Sequence, residues 1–132
     1  VKITTVQLSE INTVTSTQVR AKINHEAVAD YAEEMEGGAK FPPIVLFHDG
    51  SQYILADGFH RVMAASRNRY ETIEAEVRKG TRSDALKYAL SANIAHGLKR
   101  TNLDKKRSVE LALEEWPRLS NVAIAEICGV SD

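Results

Sequence analysis

The chain of 132 residues holds one cysteine and three prolines, and only 6% of it is aromatic. Each shortage excludes something. Cys128 alone cannot close an internal disulfide, and four histidines scattered at 25, 48, 60 and 96 offer no metal-binding spacing, so neither staple of a small secreted domain is available. No apolar run approaches the length of a membrane span and no signal-peptide pattern opens the chain, which therefore reads as cytoplasmic, with no membrane partner. Net charge is nearly absent as well, at −1. What remains is 43% hydrophobic and 27% charged, the composition of an ordinary soluble globular protein with one core and at most a small helical appendage. A start at Val1 without Met, and an end in mid-pattern, are expected of a piece of a longer protein.

The small net charge hides a division along the chain. Residues 1–60 carry 4 Lys and Arg against 8 Asp and Glu, residues 61–107 carry 12 against 5, and residues 108–132 carry 1 against 5. The basic middle is clustered at Arg67-Asn68-Arg69, Arg78 to Arg82, Lys99-Arg100 and Lys105-Lys106-Arg107, a pattern that fits a stripe facing a polyanion. Some of these clusters serve equally as solvated helix surface.

Periodicity sets out an α+β order. Ile3 to Val6 reads as a strand, and Asn24 offers an N-cap to a helix whose apolar stripe is Val28, Tyr31, Ala32 and Met35, stopped by Gly37-Gly38. Phe41 to Phe47 is a buried-strand run, Asp49-Gly50 a hairpin turn, and Tyr53 to Ala56 the return strand. A helix over 59–68, a strand over Thr72 to Val77 and a helix opening at Thr81 to Asp84 follow. That last helix carries Leu86, Leu90 and Asn93 on one stripe, with Gly97 as its C′ residue. Beyond it, 98–107 reads as a hinge into a helix over 104–116 closed by Pro117. Ser120 to Asp132 then has the form of the first helix and turn of a helix-turn-helix, with Ile124, Ala125 and Ile127 inward, Cys128 as a small buried apolar residue, Gly129 at the turn and Ser131 capping a recognition helix.

The stretch from Tyr53 through Asp57-Gly58-Phe59-His60-Arg61 to Ala65 is the most informative, because a short apolar strand passes through one glycine into a helix. The first N–H groups of a helix lack intrahelical partners and lie at the positive end of its dipole, so an anion is stabilised there. Phe59, Val62, Met63 and Ser66 share one side, expected to face the sheet and to leave His60 and Arg61 turned elsewhere as cations flanking the anion. Taken alone, the string equally fits an ordinary strand-to-helix turn with a solvated arginine.

Gly58, Arg61 and Ala64 match the G-E-R-R-x-x-A box of the ParB/sulfiredoxin family, with Phe59 and His60 at the Glu and first Arg. Gln18-Val19-Arg20 resembles that family's Q-x-R box, Phe41 to Leu46 its P-I-x-V strand, and Ala92-Asn93-Ile94 its E-N-I-Q-R box without the Glu. Four boxes stand in the family's order over residues 1–100, and the segment from Gly97 to Arg107 with the following helix-turn-helix is closer to ParB-type transcriptional regulators, including those similar to streptomycin-biosynthesis regulators, than to the chromosome-partition branch.

The resemblance implies a small mixed sheet with packed helices over 1–100, followed by the start of a DNA-binding helical unit over 101–132. It implies a nucleoside triphosphate, CTP foremost, with Mg²⁺. The phosphates would be held by Arg20, Asp57, Gly58, Phe59, His60 and Arg61, with Asn93 helping to hold the metal, whereas the residues alone favour a backbone partner for that amide. Lys99, Arg100, Lys105, Lys106 and Arg107 would contact DNA, and a homodimer is expected. Because Ala92 stands where the family has a carboxylate, hydrolysis is expected to be slow or absent. Two other readings stay open. One is an enzyme of the same fold: Phe59 in place of sulfiredoxin's cysteine excludes that attack and the lack of clustered carboxylates disfavours a nuclease, while a phosphotransferase would need Asp57 or Asp49 as its base; the other is an interaction module that has lost nucleotide binding.

Overall fold

The computed structural model describes residues 2–13, 17–18, 22–95 and 100–130, the side chains of Asn93 and Ala95 aside. In chain order the elements are β1 (Lys2–Gln7), a 3₁₀ turn (Leu8–Glu10), β2 (Ile11–Asn12), α1 (His25–Glu36), β3 (Ile44–His48), β4 (Tyr53–Asp57), α2 (Phe59–Arg67), β5 (Thr72–Lys79), α3 (Arg82–Ala95), α4 (Asn102–Glu115) and α5 (Asn121–Cys128). The five strands form one mixed sheet in the order β1-β5-β3-β4-β2. β1 runs antiparallel to β5, β3 antiparallel to β4, and β3 parallel to β5 across the connection that contains β4 and α2.

The β3–β4 hairpin is built as its Asp-Gly pair predicts. Asp49 Oδ1 accepts the backbone N–H groups of Ser51 and Gln52 at 2.9 and 3.0 Å, and Gly50 takes a φ of 104° that a β-carbon would strain. The Asp49 carboxyl, fully exposed, is lowered from 3.8 to about 2, chiefly by the Ser51 and then the Gln52 backbone hydrogen bond.

α2 departs from its expected face. Val62, Ala64 and Ala65 are the buried residues, Phe59 packs partly buried on the sheet core, and Met63 lies 36% exposed, with Ser66 also exposed. The reason is the neighbouring helix: Ala64 fits against Val28 and Ala32 of α1, so α2 is clasped from two sides, and small residues are what a close helix approach selects. The amphipathic stripe of α1 is as read, with Tyr31 and Met35 beside that contact.

α3 is covered on two sides. Ala85 and Tyr88 join Val45, Phe47, Ile54 and Ala56 of the sheet, while Leu86, Ala89 and Leu90 join Ala112, Ile124 and Cys128 of the following helices. α4 begins at Asn102, two residues before its expected start, because Thr101 and Asp104 form a reciprocal capping box: Asp104 N–H donates to Thr101 Oγ1 at 3.1 Å and Thr101 N–H to Asp104 Oδ2 at 2.8 Å. α5 is capped by Ser120 and ends on Gly129, left-handed at φ 64°. Burial raises the Cys128 thiol above its ordinary value, with Arg100 opposing. Among the described residues no helix is long and apolar enough to cross a membrane.

Candidate functional site

β4 delivers the chain to Gly58 at the edge of the core, and Gly58 turns it into α2 with a φ of 111°. A β-carbon there would stand 2.5 Å from Ile44 Cγ2 on β3, so both the backbone angle and the packing require glycine. Gly58 is the N-cap of α2 and supplies no side chain to it; the first helical bond is Val62 N–H to Gly58 O at 2.8 Å. Backbone amides and a helix dipole therefore form the positive element of this turn.

The flanking side chains do different things. Arg61 donates from Nη1 to the carbonyls of Pro42 and Pro43 at 2.7 and 2.9 Å, and from Nη2 to Asp57 Oδ2 at 3.1 Å. With its side chain 15% exposed, Arg61 ties the loop before β3 to the end of β4, and Asp57 neutralises much of its charge. His60 Nε2 accepts the Asn24 backbone N–H at 3.0 Å, a bond that uses a lone pair on Nε2. That bond brings the start of α1 to the start of α2. On the Arg61 side of α2 lies a cleft of about 210 Å³, walled by Met35, Phe41, Ala65, Tyr70 and Ile73 with Arg61 at its margin.

Arg20 and Lys99 lie outside the described residues, as do Gly97 and Ser131, and so does the side chain of Asn93. Of the residues expected at DNA, Lys105 and Lys106 are exposed on α4. Arg100 donates to the Cys128 and Gly129 carbonyls at 2.7 and 2.8 Å, completing the end of α5, and Arg107 Nε donates to the Gln18 carbonyl at 2.7 Å. The structure thus brings Asp57, Gly58, Phe59, His60 and Arg61 together at one turn and ties that turn to Asn24. Sequence reasoning missed the Pro42, Pro43, Gln18 and Asn24 backbone groups as partners, because a main-chain carbonyl or amide leaves no residue-type signal. Ala92 is 8% exposed and offers no carboxylate, and among the described residues no three His, Cys, Asp or Glu side chains cluster as a metal site.

Residues 1–94 match the family model described as the ParB N-terminal domain. Transcriptional regulator NovG of Streptomyces niveus is 33% identical over 90 residues, 68% of this chain and 28% of that protein. The streptomycin biosynthesis operon possible regulatory protein of Streptomyces griseus is 26% identical over 129 residues, 92% of this chain and 36% of that protein. The chain spans about a third of the length of these curated relatives. Among solved structures, the C-terminally truncated chromosome-partitioning protein ParB from Caulobacter crescentus aligns with a TM-score of 0.61 when complexed with CTP-γ-S (18% identity, 99% of this chain and 73% of that one). Complexed to the centromeric parS site it aligns at 0.63 (17% identity, 97% and 65%). Sulfiredoxin from Arabidopsis thaliana aligns at 0.57 with 20% identity, covering 67% of this chain and 97% of its own. At such identities these three structures speak to the fold alone, an α+β sheet-and-helix unit shared by ParB and sulfiredoxin. Since the matched residues 1–94 take in every strand of the sheet and the glycine turn into α2, the chain belongs to the ParB N-terminal domain family.

Proposed function

We propose that this chain is part of a DNA-binding transcriptional regulator whose Gly58 turn receives the phosphates of a nucleoside triphosphate, CTP foremost. The observation that carries the reading is the N-terminus of α2, set by a glycine that the packing against Ile44 demands and given no side-chain cap by that residue. Its amides and dipole suit a polyanion bound without side-chain charge. The CTP-γ-S complex of the Caulobacter protein and the regulator names of the two Streptomyces relatives support it. Magnesium, when bound, neutralises phosphate charge. Mg²⁺ is commonly held by substrate phosphates and waters with one or two carboxylates; Asp57 is the carboxylate at this turn, and Asn93 is the ligand that the resemblance implies. With alanine at 92, turnover should be slow or absent.

DNA would meet the exposed lysines of α4 through its phosphates, and α5 would be the first helix of the helix-turn-helix. Calorimetric titration with CTP, ATP and GTP, each with and without Mg²⁺, tests the nucleotide half, with inorganic triphosphate as competitor. Saturable binding that triphosphate displaces is expected; no heat with any nucleotide at millimolar concentration overturns it. One observation favours a second reading, an interaction module without nucleotide: Arg61 is already engaged by Asp57 and two carbonyls. The same titration decides between them.

A further inference from the structure

β1 is the outermost strand at one end of the sheet, paired with β5 on one side and with no strand among the described residues on the other. The direction of its backbone groups follows from one bond. Leu8 N–H donates to Glu71 O at 2.9 Å and Gln7 lies opposite Thr72, so in the antiparallel alternation Lys2, Thr4 and Val6 exchange bonds with β5. The N–H and C=O groups of Ile3, Thr5 and Gln7 then point away from it, a row of three donors and three acceptors on the open edge. Proteins usually guard such an edge with proline, a bulge or central charge. β1 has no proline, its register against β5 is unbroken from Lys2 to Gln7, and its one charge, Lys2, stands at the end. Ile3 is 51% exposed there.

We propose that this edge is a self-association surface, on which β1 pairs antiparallel with β1 of a second copy about a two-fold axis through Thr5. An axis normal to the sheet keeps the core-facing side of both copies on one side, so odd residues face odd and even face even. Centred on Thr5, the pairing sets Thr5 against the partner's Thr5, Ile3 against the partner's Gln7, and Thr4 against the partner's Val6. Every outward backbone group from Ile3 to Gln7 is then satisfied. The strand's own sequence is what favours a second copy. Threonine faces threonine at the centre, a favourable cross-strand pair; Ile3 gains the aliphatic stem of Gln7 as cover; and the two Lys2 charges fall at opposite ends, with no charge facing its like. The other edge strand, β2, has only two residues, so association closes at two copies instead of growing into a fibre. β5 and β3 separate this edge from β4 and the Gly58 turn, so the pairing is independent of the nucleotide reading.

The test is sedimentation equilibrium of the full chain without nucleotide, over a concentration series, beside three variants. Thr5→Lys, at an exposed position, places like charges directly opposite on the axis and should weaken the dimer about 5–30-fold. Thr5→Pro removes an N–H that points away from β5, which a lone edge strand tolerates, and should be monomeric at every concentration. Val122→Ser, at an exposed apolar residue of α5, should dimerise as the unmodified chain does. Far-UV circular dichroism checks that each variant keeps the fold; should Thr5→Pro not fold, Thr5→Lys decides. A chain that is monomeric up to millimolar concentration overturns the proposal. So does a dimer that the Thr5 variants leave intact, or one that Val122→Ser disrupts in their place.

Discussion

Five arginines and two lysines among the described residues use their positive charge differently. Arg61, Arg78, Arg82, Arg100 and Arg107 each bond to a carboxylate or carbonyl of the protein, and Arg78 also lies 4.8 Å over the ring of Tyr88. A planar guanidinium with several donors suits such fixed acceptors, whereas Lys105 and Lys106 stand exposed as strongly hydrated point charges. The basic middle of the sequence therefore overstates the charge free to meet a polyanion. If those two lysines contact DNA phosphates, Lys105→Ala with Lys106→Ala should lower the slope of log affinity against log salt by about two, read by fluorescence anisotropy on a duplex. An unchanged slope would move the contact elsewhere. Gly58 carries the sharper requirement: Gly58→Ala sets a β-carbon against Ile44 at a φ of 111° and should cost about 1–3 kcal/mol of stability in urea titration. Its place in a strand–glycine–helix string made it legible beforehand. The engagement of Arg61 was not, because its acceptors are carbonyls of two prolines on the far side of a hairpin.

Among the elements, the helices were legible to within a few residues from their periodicity: Asn24 caps α1 as read, whereas the caps that Thr101 and Ser120 make were not, and α4 starts two residues early for that reason. β2 was not legible. Two residues, Ile11–Asn12, form a strand only because Tyr53 and Ile54 of β4 lie alongside in parallel, a pairing that no local pattern encodes. The inward face of α2 was misread for a related reason, since Ala64 is buried by Val28 and Ala32 of a helix distant in sequence. The β3–β4 hairpin yields a pH prediction. Asp49 is lowered to about 2 in the folded chain from an ordinary value of 3.8, so its contribution is fully present above pH 3.8, declines as pH falls, and is gone below about 2. Asp49→Asn should therefore be less stable than the unmodified protein at pH 5, with the gap narrowing toward pH 2 in thermal melts. A gap independent of pH would place the effect in the amide's geometry.

Taken whole, the molecule turns on α3, whose Ala85 and Tyr88 belong to the sheet's packing and whose Leu86, Ala89 and Leu90 belong to that of α4 and α5. Apolar surface shared in this way couples the two parts. Trp116, the one tryptophan, packs partly buried in the helical cluster, so its fluorescence reports on that end while far-UV circular dichroism reports on the whole. Coincident midpoints in urea are expected, and separated ones would show that α4 and α5 open independently. The sheet adds a consequence in time. β1 pairs along its whole length with β5, Lys2 against Val77 and Gln7 against Thr72, so a ribosome releases the first strand roughly 3–15 s before its partner exists. During that interval Ile3 and Val6 have no native neighbour strand to cover their backbone, and Lys2, the two threonines and Gln7 are the polar side chains that the strand itself supplies. Slow translation across residues 8–71 would lengthen that exposure, whereas a pause after residue 79 would give β1 time to close the sheet while the helices that follow are still being made.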